Sequence, residues 1–369
     1  MLGCGYYFFS FFRARITLII FYIEIIVGIR IRIRIHAMSI YTSFSNYIRS
    51  LSRWEILTFM LILLMLLCFI KRDLSVHAEG FEQRDKYKVY ENDTIYDDFY
   101  ADIYDELFIQ PNKIEAEVDE IIHITGALKG SDNDKKNFKV CDLGCGRGHH
   151  VDQLKHKGVQ SVIGCDKSVA MLKNARDLYP SSKFIQGDFM KPMLFSEEEF
   201  NVLTCFYFTV YYAKDKRTFF RNCYQWLKPE GYLILHLVDR NHFDPIVPGG
   251  KPLFIVNPQT YAKERITNSL VKFRSFQYKS DFTAPPPTKG KSSSRVKKTS
   301  GEKNIGKFVE KITDDKTGKV RENIHTYYMP TNREMLEIAK EVGFTVTGQV
   351  DLVHVLNEYQ YLYILKKVA

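Results

Sequence analysis

The chain has 369 residues, of which 45% are hydrophobic and 26% charged. That is the balance of an ordinary globular protein, long enough for one large domain plus an appendage or for two small domains. The net charge of +9 gathers at Arg30, Arg32 and Arg34 and in a Lys/Arg/Ser stretch at 288–303, and solvated basic surface accounts for it better than a nucleic-acid site does. The seven cysteines are odd in number and scattered, and none forms a Cys-x-x-Cys pair with matching histidines. This disfavours a structural zinc site and makes reduced, mostly buried thiols the economical reading.

Residues 1–53 form an N-terminal segment in which Ile16 to Ile29 is apolar apart from Glu24, a candidate second hydrophobic helix. No small-residue cleavage site follows it cleanly, which disfavours a signal peptide. The Ile/Arg alternation from Ile29 to Ile35 is low-complexity, and Met38 is a second candidate start. Residues 54–70 are apolar from Ile56 to Ile70 except for Thr58, with Arg53 before them and Lys71 and Arg72 after. A helix of that length spans ~25 Å, a little short of a ~30 Å hydrocarbon core, and the flanking basic side chains can snorkel to cover the difference. It shows no polar face, so a transmembrane helix is expected rather than a core helix. The polar, charged stretch 71–94 reads as a linker.

From residue 95 onward two helices are expected, around 96–105 and 114–124. Strand-like runs then alternate with helical ones: strands at Phe138–Leu143, Ser161–Cys165, Lys183–Gln186, Phe200–Tyr207 and Tyr232–Val238, helices at about 149–157, 168–178 and 214–227. Such alternation predicts a parallel sheet with crossover helices. The pattern breaks at 253–329, a β-rich insertion with extended segments near 270–283 and 306–328. These bracket a loop at about 284–304 whose composition predicts disorder. A helix over Asn332–Val342 and strands at Thr345–Val350 and Gln360–Leu365 close the chain.

The chemistry lies in Val140-Cys-Asp-Leu-Gly-Cys-Gly-Arg-Gly148, a strand running into a glycine-rich turn that opens a helix. Glycines let a ligand approach the backbone, and a helix N-terminus favours an anionic group. A dinucleotide fingerprint would need its third glycine where His149 stands. Two more acids end the next strands, Asp166 and Asp188; a carboxylate at such a strand end can take both ribose hydroxyls. Any one of these acids is by itself more often a solvated loop residue, but three at successive strand ends after such a turn are not.

These residues resemble the class I S-adenosylmethionine-dependent methyltransferases. The match continues through Asp166-Lys-Ser-Val-Ala-Met-Leu172 and Gln186-Gly-Asp188 to Trp226-Leu-Lys-Pro-Glu-Gly-Tyr-Leu-Ile-Leu235, where Glu230 replaces the usual glycine. It covers about 95–250, with 331–369 matching the family's antiparallel sheet end. The whole chain also resembles membrane-anchored methyltransferases of large DNA viruses. The resemblance implies a Rossmann-like, doubly wound, mostly parallel seven-stranded α/β sheet with an antiparallel last strand, and S-adenosyl-L-methionine as cofactor. It implies that Asp142, Gly144, Gly146 and Gly148 hold the methionine end, Asp166 the ribose, and Asp188 with Phe189 the adenine. Lys167 would border the adenine, Phe206 and Tyr207 would line the floor beside the sulfonium, and Tyr96 and Tyr104 would close over the methionine carboxylate. Packing of an amphipathic helix explains the two tyrosines equally well.

Methyl transfer from a sulfonium is a direct displacement that needs alignment first and a base only for a protonated acceptor. Candidate bases are His236, Asp239, His242 and His325. The run Glu322-Asn-Ile-His-Thr-Tyr-Tyr-Met-Pro330 resembles the family's segment facing the acceptor, which favours His325 and Tyr327. His149 and His150 are expected to be exposed, with no metal ligand set nearby. The expected acceptor is a small or lipid-like molecule. A nucleic-acid or protein acceptor docking on the 288–303 loop, or a scaffold without catalysis, are the alternatives. Against a nucleic-acid acceptor, Cys205-Phe-Tyr-Phe-Thr-Val-Tyr-Tyr212 lacks the Asn/Asp-Pro-Pro-Tyr-like motif of many members that methylate base amino groups. A cytosolic supply of cofactor places the domain on the cytosolic side of a single-pass anchor, or a two-pass one if the first apolar run also spans.

Overall fold

The computed structural model describes residues 87–250, 258–286 and 304–368, together with Ser52, Trp54, Thr58, Met60 and Ile62. The chain divides into two compact units, Met1–His77 and Ala78–Ala369. In the first, Trp54, Thr58, Met60 and Ile62 are helical. The rest of the expected span 54–70, the segment before it, the linker as far as residue 86 and the loop at 287–303 lie outside the described residues. No helix among the described residues is long and apolar enough to cross a membrane.

The second unit is built on a seven-stranded sheet. Its parallel strands are β2 (Lys139–Leu143), β3 (Ser161–Asp166), β4 (Lys183–Gln186), β5 (Phe200–Cys205) and β6 (Leu227–Val238). Most of β2 and β5 is buried, as expected of parallel strands covered on both faces, which read as unbroken apolar runs. The last strand, β12 (Gln360–Lys367), runs antiparallel to β6, and β11 (Phe344–Asp351) antiparallel to β12. The spatial order is β11-β12-β6-β5-β2-β3-β4. The chain thus moves outward from β2 through β4, then returns to β2's other side with β5. Such a reversal opens a crevice beyond the carboxyl ends of the central strands.

The helices that cover this sheet begin and end on local signals. Helix α1 (Asp98–Phe108) is capped by Asp97, whose carboxylate accepts from the Tyr100 backbone N–H at 3.0 Å. Helix α2 (Pro111–Thr125) opens with proline and stops at left-handed Gly126. A short α3 (Asp132–Asn137) precedes β2. Helix α4 (His149–His156) follows the glycine turn, and α5 (Val169–Leu178) is capped by Ser168. Asp215 caps α6 (Lys216–Trp226), and a Thr331–Glu334 capping box opens α7 (Asn332–Val342).

A second, five-stranded sheet has the order β1-β10-β9-β8-β7. Its antiparallel part is β7 (Asn268–Lys272), β8 (Phe276–Thr283), β9 (Ile305–Asp314) and β10 (Val320–Tyr328), the β-rich insertion expected from the sequence. Burial alternates strictly along β8, so one face of this sheet is turned to the core. The fifth strand, β1 (Tyr87–Glu91), pairs in parallel with β10. This corrects the linker, expected to run to residue 94: its last residues are sheet and a 3-10 turn (Asn92–Thr94). Alternation of Tyr87, Val89 and polar neighbours carried the signal, but only a distant strand could satisfy it. Buried Arg321 on β10 binds Asp97 at 2.7 and 2.9 Å and the Ile95 carbonyl at 2.8 Å, tying this sheet to the start of α1.

Candidate active site

The glycine turn sits at the C-terminal end of β2, at the crevice. Gly144, Gly146 and Gly148 all have positive φ, +72°, +52° and +84°, where side chains other than glycine's are strained. A Cβ on Gly144 would come within 2.3 Å of Thr209 Cγ2, whereas one on Gly146 would meet nothing within 4 Å. The backbone over Gly146 therefore faces open space.

That space belongs to a cavity of about 610 Å³ lined by Gly144, Gly146, Asp166, Lys167, Asp188 and Phe189, among others. Asp166 is held by two backbone donors, Gly146 N–H and Ser168 N–H, each at 2.8 Å. Burial raises its carboxyl pKa, and those hydrogen bonds oppose the rise. Asp188 accepts from Met190 N–H at 2.9 Å. Lys167 bridges Asp188 at 3.6 Å and Asp93 at 2.5 Å. Deeper in, Asp142 is almost wholly buried and accepts from Thr204 Oγ1 at 2.7 Å. Burial pushes its pKa up to about 6, against the opposing pull of His150 and the Thr204 hydroxyl. A small cavity beside it is lined by Asp142, Arg147, His150, Phe206, Tyr207 and Tyr104.

A third cavity, about 90 Å³, lies between the crevice and the second sheet. Aromatic rings dominate its walls, among them Tyr100, Tyr104, Phe208, Tyr212 and Tyr327, and His325 also faces it. Tyr96, Tyr104, Thr209 and Tyr212 line both this cavity and the large one, so the two meet there. Tyr212, on the 3-10 turn Thr209–Tyr212 after β5, shares a 2.9 Å hydrogen bond with the Tyr96 hydroxyl and another with His325 Nδ1. His325 Nε2 lies 2.8 Å from Glu310 Oε2. Glu310, fully buried on β9, also accepts from Tyr100, Tyr278 and Asn323 at 2.6–2.9 Å. Burial alone would raise its pKa, but His325 and these hydrogen bonds hold it below the usual carboxylate value.

The structure brings the residues expected around the cofactor to these connected cavities except Gly148, where a Cβ would meet Phe184 at 2.5 Å, so its need for glycine is one of packing; His325 and Tyr327 reach the aromatic cavity. Phe206 and Tyr207 lie just past β5, which ends at Cys205 rather than at Tyr207 as expected; Tyr207 takes a φ of +49°. The other candidate bases are elsewhere. His236 is fully buried within β6 beside Phe208, and burial first, then nearby Lys113, lower its pKa to about 3. Asp239 caps a 3-10 turn and pairs with His242 at 2.7 Å, while His242 stacks on Tyr359.

His150, expected to be exposed, is buried. It bonds Glu117 at 2.8 Å and stacks on Phe206 with ring centroids 4.0 Å apart. On α4 it shares a buried face with Val151 and Leu154, which faces α2. His149 is half-buried between Tyr179 at 2.7 Å and Asp105 at 2.8 Å. No group able to hold a metal ion occurs among the described residues. Glu310 and Tyr212 were missed. The signal for Glu310 was parity: it stands between Phe308 and Ile312 on the inward side of β9, an acid where alternation demands an apolar residue.

Residues 141–235 match the family model described as a methyltransferase domain. Two trans-aconitate 2-methyltransferases of Rhodopseudomonas palustris, strains BisB5 and HaA2, are 43% and 45% identical to it over 51 residues, 14% of this chain and 20% of theirs. The chain thus matches about a fifth of the length of those curated relatives. An S-adenosylmethionine-dependent methyltransferase structure from Clostridium acetobutylicum superposes with a TM-score of 0.50 at 15% identity, covering 73% of this chain and 98% of that one. That likeness shows the fold, the Rossmann-like one, and S-adenosylmethionine is the cofactor that the sequence resemblance implies. The residues present fit that group: backbone open over Gly146, a carboxylate at each of three strand ends, and a cavity of ligand size. The departure at Glu230 is accommodated at φ +64°, and its carboxylate meets Lys366 at 2.5 Å.

Proposed function

We propose that this protein transfers a methyl group from S-adenosylmethionine to a small acceptor held in the aromatic cavity. When bound, the cofactor supplies a methyl group on a positively charged sulfur. Asp142 and the glycine turn hold its methionine end, Asp166 its ribose, and Asp188 with Phe189 its adenine. Lys167 borders the adenine, Phe206 and Tyr207 form the floor, and Tyr104 closes the mouth between the cavities. The observation that carries this reading is the junction at Tyr96, Tyr104, Thr209 and Tyr212, where the large cleft and the small aromatic cavity share walls. A donor in the first and an acceptor in the second are brought together there, which is most of what a displacement needs. The cavity's size favours a small acceptor over a polymer.

Calorimetry with S-adenosylmethionine tests it. Wild type should bind the cofactor in preference to NADH, and Asp166→Ala should not bind it. A folded chain that ignores S-adenosylmethionine would sink the proposal. The apolar run 54–70 tethers the enzyme to a membrane with the domain cytosolic. Asn92, whose side chain accepts from Thr326 N–H at 2.8 Å, then stays unglycosylated. Release of the full chain by alkaline carbonate, or a glycan on Asn92, would argue against that arrangement.

A further inference from the structure

We propose that Glu310, His325 and Tyr212 form a proton relay into the junction of the two cavities, and that the acceptor atom is therefore a proton-bearing nitrogen or oxygen rather than a carboxylate. The inference rests on the methyl-transfer reading above.

Hydrogen-bond directions follow from what each group can do. Glu310 is ionised and can only accept, so His325 Nε2 carries the hydrogen that it receives. In the neutral form of His325 that the relay requires, Nδ1 has a lone pair to which the Tyr212 hydroxyl donates. With its one hydrogen used, Tyr212 Oη must accept from Tyr96. An oxygen of this type has a further lone pair, for which the neighbouring Tyr327 hydroxyl and a ligand at the junction compete, and Tyr212 lines both cavities. That lone pair is suited to an N–H or O–H at the junction; a carboxylate has no hydrogen to give it.

Transfer then balances as follows. The acceptor lone pair bonds to the methyl carbon as the sulfur–methyl bond breaks, and sulfur keeps that electron pair. The acceptor's proton passes to Tyr212 Oη, while Tyr212's own proton passes to His325 Nδ1. An ammonium acceptor gives up this proton before attack; a hydroxyl gives it up during attack. Glu310 is a positioning residue that fixes the tautomer and stabilises the imidazolium. The groups facing His325 are Tyr96 just before α1, Tyr100 on α1, Tyr212, Phe308 and Glu310 from β9, and Tyr327 beside it. Tyr278 reaches the same Glu310 from β8. Glu310 is thus the sole carboxylate among them.

The test uses the full chain with methyl-labelled S-adenosylmethionine and three probes sharing one ring: benzylamine, 4-methylphenol and benzoate. Label should enter the amine or the phenol and not benzoate. Tyr212→Phe and His325→Asn should lose roughly 10²–10⁴-fold in rate with cofactor affinity unchanged. Glu310→Gln should move the acid limb of the rate profile to lower pH. Independently of activity, ¹⁵N-histidine NMR of the cofactor-free protein should find His325 neutral with its hydrogen on Nε2. Methyl benzoate as product, no transfer to any probe by a chain that binds S-adenosylmethionine, or the hydrogen on Nδ1 overturns the relay. Failure to bind S-adenosylmethionine fells the underlying reading instead.

Discussion

Two glycines two residues apart should fail in opposite ways when each is changed to alanine. Both are left-handed, so each substitution carries roughly 1–2 kcal/mol of backbone strain. At Gly144 the new Cβ also lies 2.3 Å from Thr209 Cγ2 and 3.2 Å from Thr209 Cβ. Overpacking of that kind adds about 1–3 kcal/mol, so Gly144→Ala should cost roughly 2–5 kcal/mol of stability. At Gly146 the Cβ meets nothing, and the stability cost stays at the strain alone. The methyl group instead projects into the cleft, where displacing a bound ligand by a comparable 1–3 kcal/mol weakens affinity by about 5- to 150-fold. Urea denaturation measures the first quantity and calorimetry with S-adenosylmethionine the second. Adding Thr209→Ala to Gly144→Ala should recover the overpacking part and leave the strain. The reasoning is refuted if Gly146→Ala binds the cofactor like wild type, or if Thr209→Ala restores nothing.

Asp142 titrates near 6 in the fold rather than at 3.8, so the folded state binds more protons between those values. Stability should fall as pH rises from about 4 to 6, by roughly 3 kcal/mol at most, and Asp142→Asn should remove that loss. The same carboxylate should cost cofactor affinity as pH drops below about 6, which calorimetry from pH 5 to 8 would detect; a flat profile would separate Asp142 from the binding site. Arg321→Leu strands Asp97 and removes the bond to the Ile95 carbonyl. It should cost roughly 2–4 kcal/mol in urea denaturation, less than a fully buried pair because Asp97 is about a third exposed. Proteolysis near residue 87 should accelerate with it, since β1 and the start of α1 lose their tie to β10.

The sequence alone determined the parallel sheet and its turn, because those features are local. An apolar run, a left-handed glycine and an acid at a strand end are each written within a few residues, and Asp142, Asp166 and Asp188 fall where their strands stop. It also determined that the segments near 270–283 and 306–328 are extended, since period-two alternation survives in any sheet. It did not determine what that sheet encloses. Glu310, His325, Tyr212 and Tyr96 come from four separate segments, and only tertiary pairing of β9 with β10 and packing against α1 sets them in one chain of hydrogen bonds. His150 was misjudged for the same reason. A histidine at a helix start is commonly solvated, and only α2, crossing α4 with Glu117 on its inner face, makes burial the lower-energy choice. Strand β1 likewise had no partner in its own neighbourhood; β10, more than two hundred residues away, supplies the hydrogen bonds that turn a linker into an edge strand.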